Sequence, residues 1–196
     1  MKCFLISCIL IKLLVLIYFQ ATSSWAKSQI VDYMSQFESI LAAYQTFPEE
    51  FQSLVICTVD KDGMPNASYT PFVMDEEKNI YIYVSGLSSH TQNLHALPKA
   101  SILFVEDESK TQQIFARRRL SFDCDAQLIE RDTQLWLQMV SQFKARFGNI
   151  IEMLEQLPDF RIFQLKPKSG RFVVGFGAAY EVDPNDFNNL IHVKGK

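Results

Sequence analysis

The stretch from Leu120 to Leu128 constrains this chain more than any other. Apolar Leu120, Phe122, Cys124, Ala126 and Leu128 alternate there with polar Ser121, Asp123, Asp125 and Gln127. Successive side chains of a strand point to opposite faces of a sheet, so a two-residue period predicts a strand with one face buried and one in water. Three arginines, Arg117, Arg118 and Arg119, stand where it begins. Guanidinium groups suit carboxylates and phosphates, so the cluster predicts a site for an anion. The same run also reads as a solvated basic turn, and charge alone does not separate the two.

Similar reasoning finds the strand's neighbours. Leu54 to Val59 is a continuous apolar run, and Asp60-Lys61-Asp62-Gly63 supplies turn chemistry before a second strand around ASYTPFVM. IYIYVS and SILFV read as the third and fourth strands, with a short helix from Ser88 to Leu97 between them, ended by Pro98. The chain then closes with FRIFQL, a turn at Lys166-Pro167-Lys168-Ser169-Gly170, and RFVVGF. Gly175 and Gly177 predict a bulge or a close backbone approach in that last strand. Six strands joined mainly by hairpins predict a closed or split antiparallel β-barrel, mainly β with flanking helices.

Two longer helices complete the pattern. Ile30, Tyr33, Met34, Phe37, Leu41 and Tyr44 recur at three- and four-residue steps, and Pro48 marks the end of that helix. Asp132 reads as an N-cap for a helix of about six turns, with Trp136, Met139, Val140, Phe143, Phe147, Ile150, Ile151 and Leu154 on one face.

With 196 residues, 48% of them hydrophobic and 21% charged, the chain is long enough for one well-buried core. Its net charge of -3 gives no overall drive toward nucleic acid, so any anion site must be local. Residues 1–27 form an apolar segment set apart from a single domain over 28–196. The segment fits either a secretory signal cleaved after Ala26 or a start upstream of a true one at Met34. Lys12 interrupts its apolar run and argues against a membrane span. Cys57 and Cys124 fall in predicted strands without metal-ligand spacing, and are expected as buried free thiols.

The chain has no HExxH, GxSxG, Walker or GxGxxG pattern, and only His90, His95 and His192 among histidines. Cofactor chemistry, or none, remains. TVDKDGMPNASYTPFV, NLHALPKASILFVEDE, FARRRLSFDCDAQLIERD, LPDFRIFQL and GRFVVGFGAAY, in this order, resemble the haem-utilisation proteins of the HugZ/HutZ family. These are relatives of pyridoxamine 5'-phosphate oxidase with a split-barrel FMN-binding fold. The resemblance runs from about Phe51 to His192.

It implies a homodimer with its cofactor between subunits, and a cytoplasmic location where reductant is at hand. It implies haem as ligand, with Arg117 and Arg119 near it and Asp159 hydrogen-bonded to an axial histidine, so that Asp159 and Arg119 carry the chemistry. The family's tail histidine lies beyond the position of His192, so His192 stands in as the iron ligand only through a shift in register. The FMN alternative would use Ser88, His90 and Thr91. Here SGLSSHTQNL replaces a motif that usually carries a lysine and an arginine, and His90 and Gln92 stand at those places. Two classes of function follow: a haem-degrading oxygenase with an unidentified electron donor, and a haem- or flavin-binding protein without turnover. A flavin-dependent oxidase of the pyridoxamine phosphate type is a further enzymatic reading, weakened by His90 and Gln92.

Overall fold

The computed structural model describes residues 27–192, with the side chain of His192 outside the description. The expectations for Lys12 and for cleavage after Ala26 lie outside the described residues. The chain divides into two compact units, Met1–Ala43 and Tyr44–Lys196. Residues 27–46 are helical (α1), and in the first unit Ile30, Val31, Tyr33 and Met34 are exposed. Among the described residues no helix is long and apolar enough to cross a membrane.

The second unit is built on eight antiparallel strands: β1 (Ser53–Val59), β2 (Pro65–Met74), β3 (Ile80–Ser85), β4 (Lys99–Val105), β5 (Arg119–Ile129), β6 (Phe160–Gly175), β7 (Ala178–Asp183) and β8 (Asp186–His192). Their order is β3-β2-β1-β4-β5-β6-β7-β8, and a further pairing of β3 with β6 closes the first six into a barrel. Leu54, Ile56, Phe72, Ile82, Ile102, Phe104, Leu120, Phe122, Phe163, Leu165 and Phe172 are buried. They fall on alternate positions of the paired strands, which is how a small barrel fills its interior. Helix α2 (Ser89–Ala96) packs against β1 and β2, where Leu94 is buried and Asn93 Nδ2 donates to Thr58 Oγ1 at 2.9 Å.

The outer faces differ around the sheet. Helices α3 (Gln134–Phe147) and α4 (Ile150–Glu155) contribute Trp136, Met139, Val140, Phe143 and Ile151 to a cluster with Val73, Tyr81, Tyr83, Ile129 and Ile162. Strand β3 is therefore buried on both faces, which explains its unbroken IYIYV run. Across β2, β1 and β4 the outer positions stay open: Tyr69 is 72% exposed, Cys57 and Ala67 are exposed, and Val55 and Leu103 are half-buried.

Several expectations need correction. Lys166 to Gly170 is no turn; β6 runs through it and absorbs Lys168 as a bulge, with Asp123 opposite Ser169 and Cys124 opposite Pro167. An extra residue in one strand kinks the ladder without ending it. The β7–β8 hairpin after Gly177 (φ 67) was missed, though Pro184-Asn185-Asp186 carries its turn signal. Gly148 (φ 74) breaks the expected six-turn helix into α3 and α4. Asp132 takes φ 65 outside the helix, and Thr133 caps it, accepting from Trp136 N at 3.3 Å. Cys57 is exposed, whereas Cys124 is buried and its thiol is pushed up to about 12 by burial and by Asp123 and Asp125.

Candidate functional site

The arginine triplet, of which only Arg119 lies within β5, has three fates. Arg118 turns to the barrel end, where its Nε meets Glu106 Oε1 at 2.7 Å, a second nitrogen meets Glu50 at 3.3 Å, and the guanidinium lies 5.2 Å from the Phe47 ring centroid. Burial alone would raise the Glu106 carboxyl, but the hydrogen bond and charge of Arg118 outweigh it and hold it low. Arg117 folds back onto the Glu106 carbonyl through Nε at 3.0 Å and pairs with Glu108 at 3.0 Å. Arg119 is exposed, and among the described residues its side chain donates only to the Arg117 carbonyl, at 3.2 Å. It lines a groove of about 570 Å³ with Phe115, Arg171, Val173, Gly175, Phe176, Gly177, Ala178 and Ala179.

Asp159 belongs to a second cluster. Ser85 Oγ donates to Asp159 Oδ2 at 2.6 Å, and Gly86 N donates to the Asp159 carbonyl at 2.8 Å. A Cβ on Gly86 would sit 3.1 Å from that carbonyl, so glycine lets the two loops close on each other. Arg131 and Arg161 brace the turn before β6: Arg131 donates to the Leu157 and Glu155 carbonyls, and Arg161 to those of Pro158 and Phe160. The half-buried carboxylate is thus held by the loop that begins α2, with Ser88 as the residue before its first turn.

On α2 itself, His90 and Thr91 are buried, and His90 Nε2 and Thr91 Oγ1 have no hydrogen-bond partner among the described residues. Burial lowers the His90 pKa, so the imidazole is neutral at pH 7. A flavin phosphate at SGLSSHTQNL would meet hydroxyls and amides but no cation within that segment, and both orphaned atoms are closed to it as the loop stands. These residues fit a dianion poorly.

The two clusters lie at opposite ends of the sheet. Arg119 pairs with Val173, whereas Ile129, at the Asp159 end, pairs with Ile162. Ten residues of extended strand separate the rows, roughly 30 Å. The backbone of His192 pairs with Tyr180, which pairs with Phe172, opposite Leu120. His192 therefore stands at the arginine end of its own chain. Among the described residues no group of three or more His, Cys, Asp or Glu side chains could hold a metal ion. Sequence reasoning missed Ser85, whose signal was the first serine of SGLSS, and Arg171, which carried none.

The sequence pattern of the pyridoxamine 5'-phosphate oxidase family matches residues 40–174. Haem oxygenase HutZ of Vibrio cholerae is 44% identical over 148 residues, 76% of this chain and 84% of that protein. This chain belongs to the HutZ group of the pyridoxamine 5'-phosphate oxidase-like family. The crystal structure of Vibrio cholerae HutZ, described there as a haem storage protein, shares 41% identity and a TM-score of 0.61, covering 67% of this chain and 89% of that one. That of Campylobacter jejuni ChuZ shares 32% identity and a TM-score of 0.71, covering 80% of this chain and 63% of that one. This chain thus spans less than two-thirds of ChuZ. The HutZ-like barrel is the six-stranded closure described above, with β7 and β8 as additional strands.

Proposed function

We propose that this chain binds haem and degrades it oxidatively, releasing iron, as a homodimer in the cytoplasm. The observation that carries the reading is Arg119: its guanidinium has no carboxylate partner among the described residues and opens on an apolar-walled groove. The HutZ relatives, one described as a haem oxygenase and one as a haem storage protein, supply the ligand class. Haem is the substrate, consumed with oxygen and electrons from an external donor.

Each residue has a part in this reading. Arg119 pairs with a propionate or with developing negative charge at the iron, and Arg117, held by Glu106 and Glu108, shapes the loop that presents it. His192 is the iron ligand, and Asp159 accepts from the imidazole of the other subunit, fixing its tautomer. Two chains are needed because one chain keeps Asp159 and His192 at opposite ends. The open outer face around Tyr69, Cys57, Ala67 and Leu103 supplies the apolar surface for the twofold contact. The strand aromatics Tyr81, Tyr83 and Phe172 are buried within their own chain and add nothing to that contact, whereas Phe176 is exposed.

A carrier without turnover is the second reading, favoured by the description of HutZ as a storage protein. Incubating the haemin-loaded protein with a reductant in air separates the two. Loss of the Soret band with release of chelatable iron supports degradation; a stable Soret band over many minutes contradicts it and leaves the carrier.

A further inference from the structure

We infer that Arg171 is the second anion-binding residue of the groove that Arg119 enters, and that Phe115 and Phe176 are its apolar walls, together forming a site for a flat dicarboxylate. The inference rests on the haem reading above and deepens it.

Register places the two arginines. Arg119 is opposite Val173 and Ser121 is opposite Arg171, so Arg119 and Arg171 lie on one face of β5–β6, diagonal across the ladder. Diagonal neighbours have Cα atoms about 7–8 Å apart, close enough for two guanidiniums to repel. Neither forms an ion pair among the described residues, unlike Arg117 and Arg118. Glu181 stands opposite Arg171 on β7 without closing to an ion pair. Arg119 and Arg171 are therefore side by side with neither in an ion pair among the described residues, although Asp123 and Glu181 line the neighbouring groove that Arg171 also borders.

The walls add the second observation. Phe115 is 82% exposed and Phe176 71% exposed, and both line this groove beside the arginines. Two large aromatic side chains left in water around one groove form the kind of patch that a ligand or partner covers. Gly175 and Gly177 flank Phe176, and added Cβ atoms there would meet nothing within 4 Å. Gly177 at φ 67 sets the tight turn that projects the hairpin. A porphyrin dicarboxylate is an apolar disc with both carboxylates on one edge, which matches paired guanidiniums beside aromatic walls.

The test uses full-length wild-type protein, Arg171→Gln, Arg171→Lys and Phe176→Ser, each checked for native circular dichroism. Each is titrated with haemin and with haemin dimethyl ester, which lacks both carboxylates. Arg171→Gln is expected to raise the haemin Kd roughly tenfold, as for loss of one charge-assisted hydrogen bond, with a smaller rise for Arg171→Lys. Ester binding should be the same in wild type and Arg171→Gln, while Phe176→Ser weakens both ligands. Unchanged haemin affinity in Arg171→Gln overturns the inference and leaves the haem reading standing, as does equal weakening of haemin and ester. Failure of the wild type to bind haemin removes both.

Discussion

Asp159 and His90 both adjoin the segment between β3 and α2 and differ in their partners: the carboxylate accepts a hydrogen bond, the imidazole Nε2 has none among the described residues. Asp159 accepts the Ser85 hydroxyl at 2.6 Å, a bond to a carboxylate at a half-buried site. Ser85→Ala is expected to cost about 1–2 kcal/mol in chemical denaturation. In the haem-bound protein, Asp159→Asn should keep binding but shift the spin-state bands, because the amide is a weaker acceptor for a ligand imidazole. His90 is neutral and buried, with its pKa lowered by desolvation. Its folded pKa lies below the unfolded value of about 6.5, so the unfolded state binds the extra proton first. Stability is then fully present above about pH 6.5 and declines as pH falls from there toward the depressed folded value. Thermal melts between pH 7.5 and 5 should show this loss, and His90→Gln should flatten it; an unchanged slope would remove His90 as its source.

At the scale of elements, the alternation of β5 was legible because one of its faces fills the barrel: Leu120, Phe122 and Cys124 are buried while Asp123 is exposed. The pattern changes near the strand's end, where Ile129 is buried under α3 and Leu128 is only half-buried, since a helix now covers the outer face. Local chemistry misled at Pro167, because a bulge lets β6 carry turn-type residues without turning. The site was legible only in part. A run of three arginines stands out in a sequence, but which of them is free depends on Glu106, Glu108 and Glu50, brought in from elsewhere. Arg171 becomes Arg119's neighbour only through register. Gly170 marks a tight place on the same strand: a Cβ there would lie 2.5 Å from a Phe122 ring carbon and 2.8 Å from Val182 Cγ2. Gly170→Ala should destabilise by about 1–3 kcal/mol through overpacking and loosen the β7–β8 hairpin, read by faster hydrogen exchange there than in β1.

At the scale of the whole molecule, the uneven coverage of the barrel matters most. Helices α3 and α4 cover one part of its outer face, and the part bearing Tyr69 stays in water. We propose that residues 28–196 fold on their own; a chain beginning at Ser28 should be soluble with a single cooperative melt, and its aggregation would place the apolar segment within the fold. A stable twofold dimer is expected by light scattering at micromolar concentration, and Tyr69→Asp should shift it toward monomer. The central claim is the ligand. Parallel titrations of the purified full-length protein with haemin and FMN, followed by the Soret and flavin bands, test it most directly. Saturable haemin binding near one per subunit is expected, with a histidine-type spectrum lost in His192→Ala, and FMN binding far weaker. Stoichiometric FMN retained through purification, with no saturable haemin binding, would contradict it.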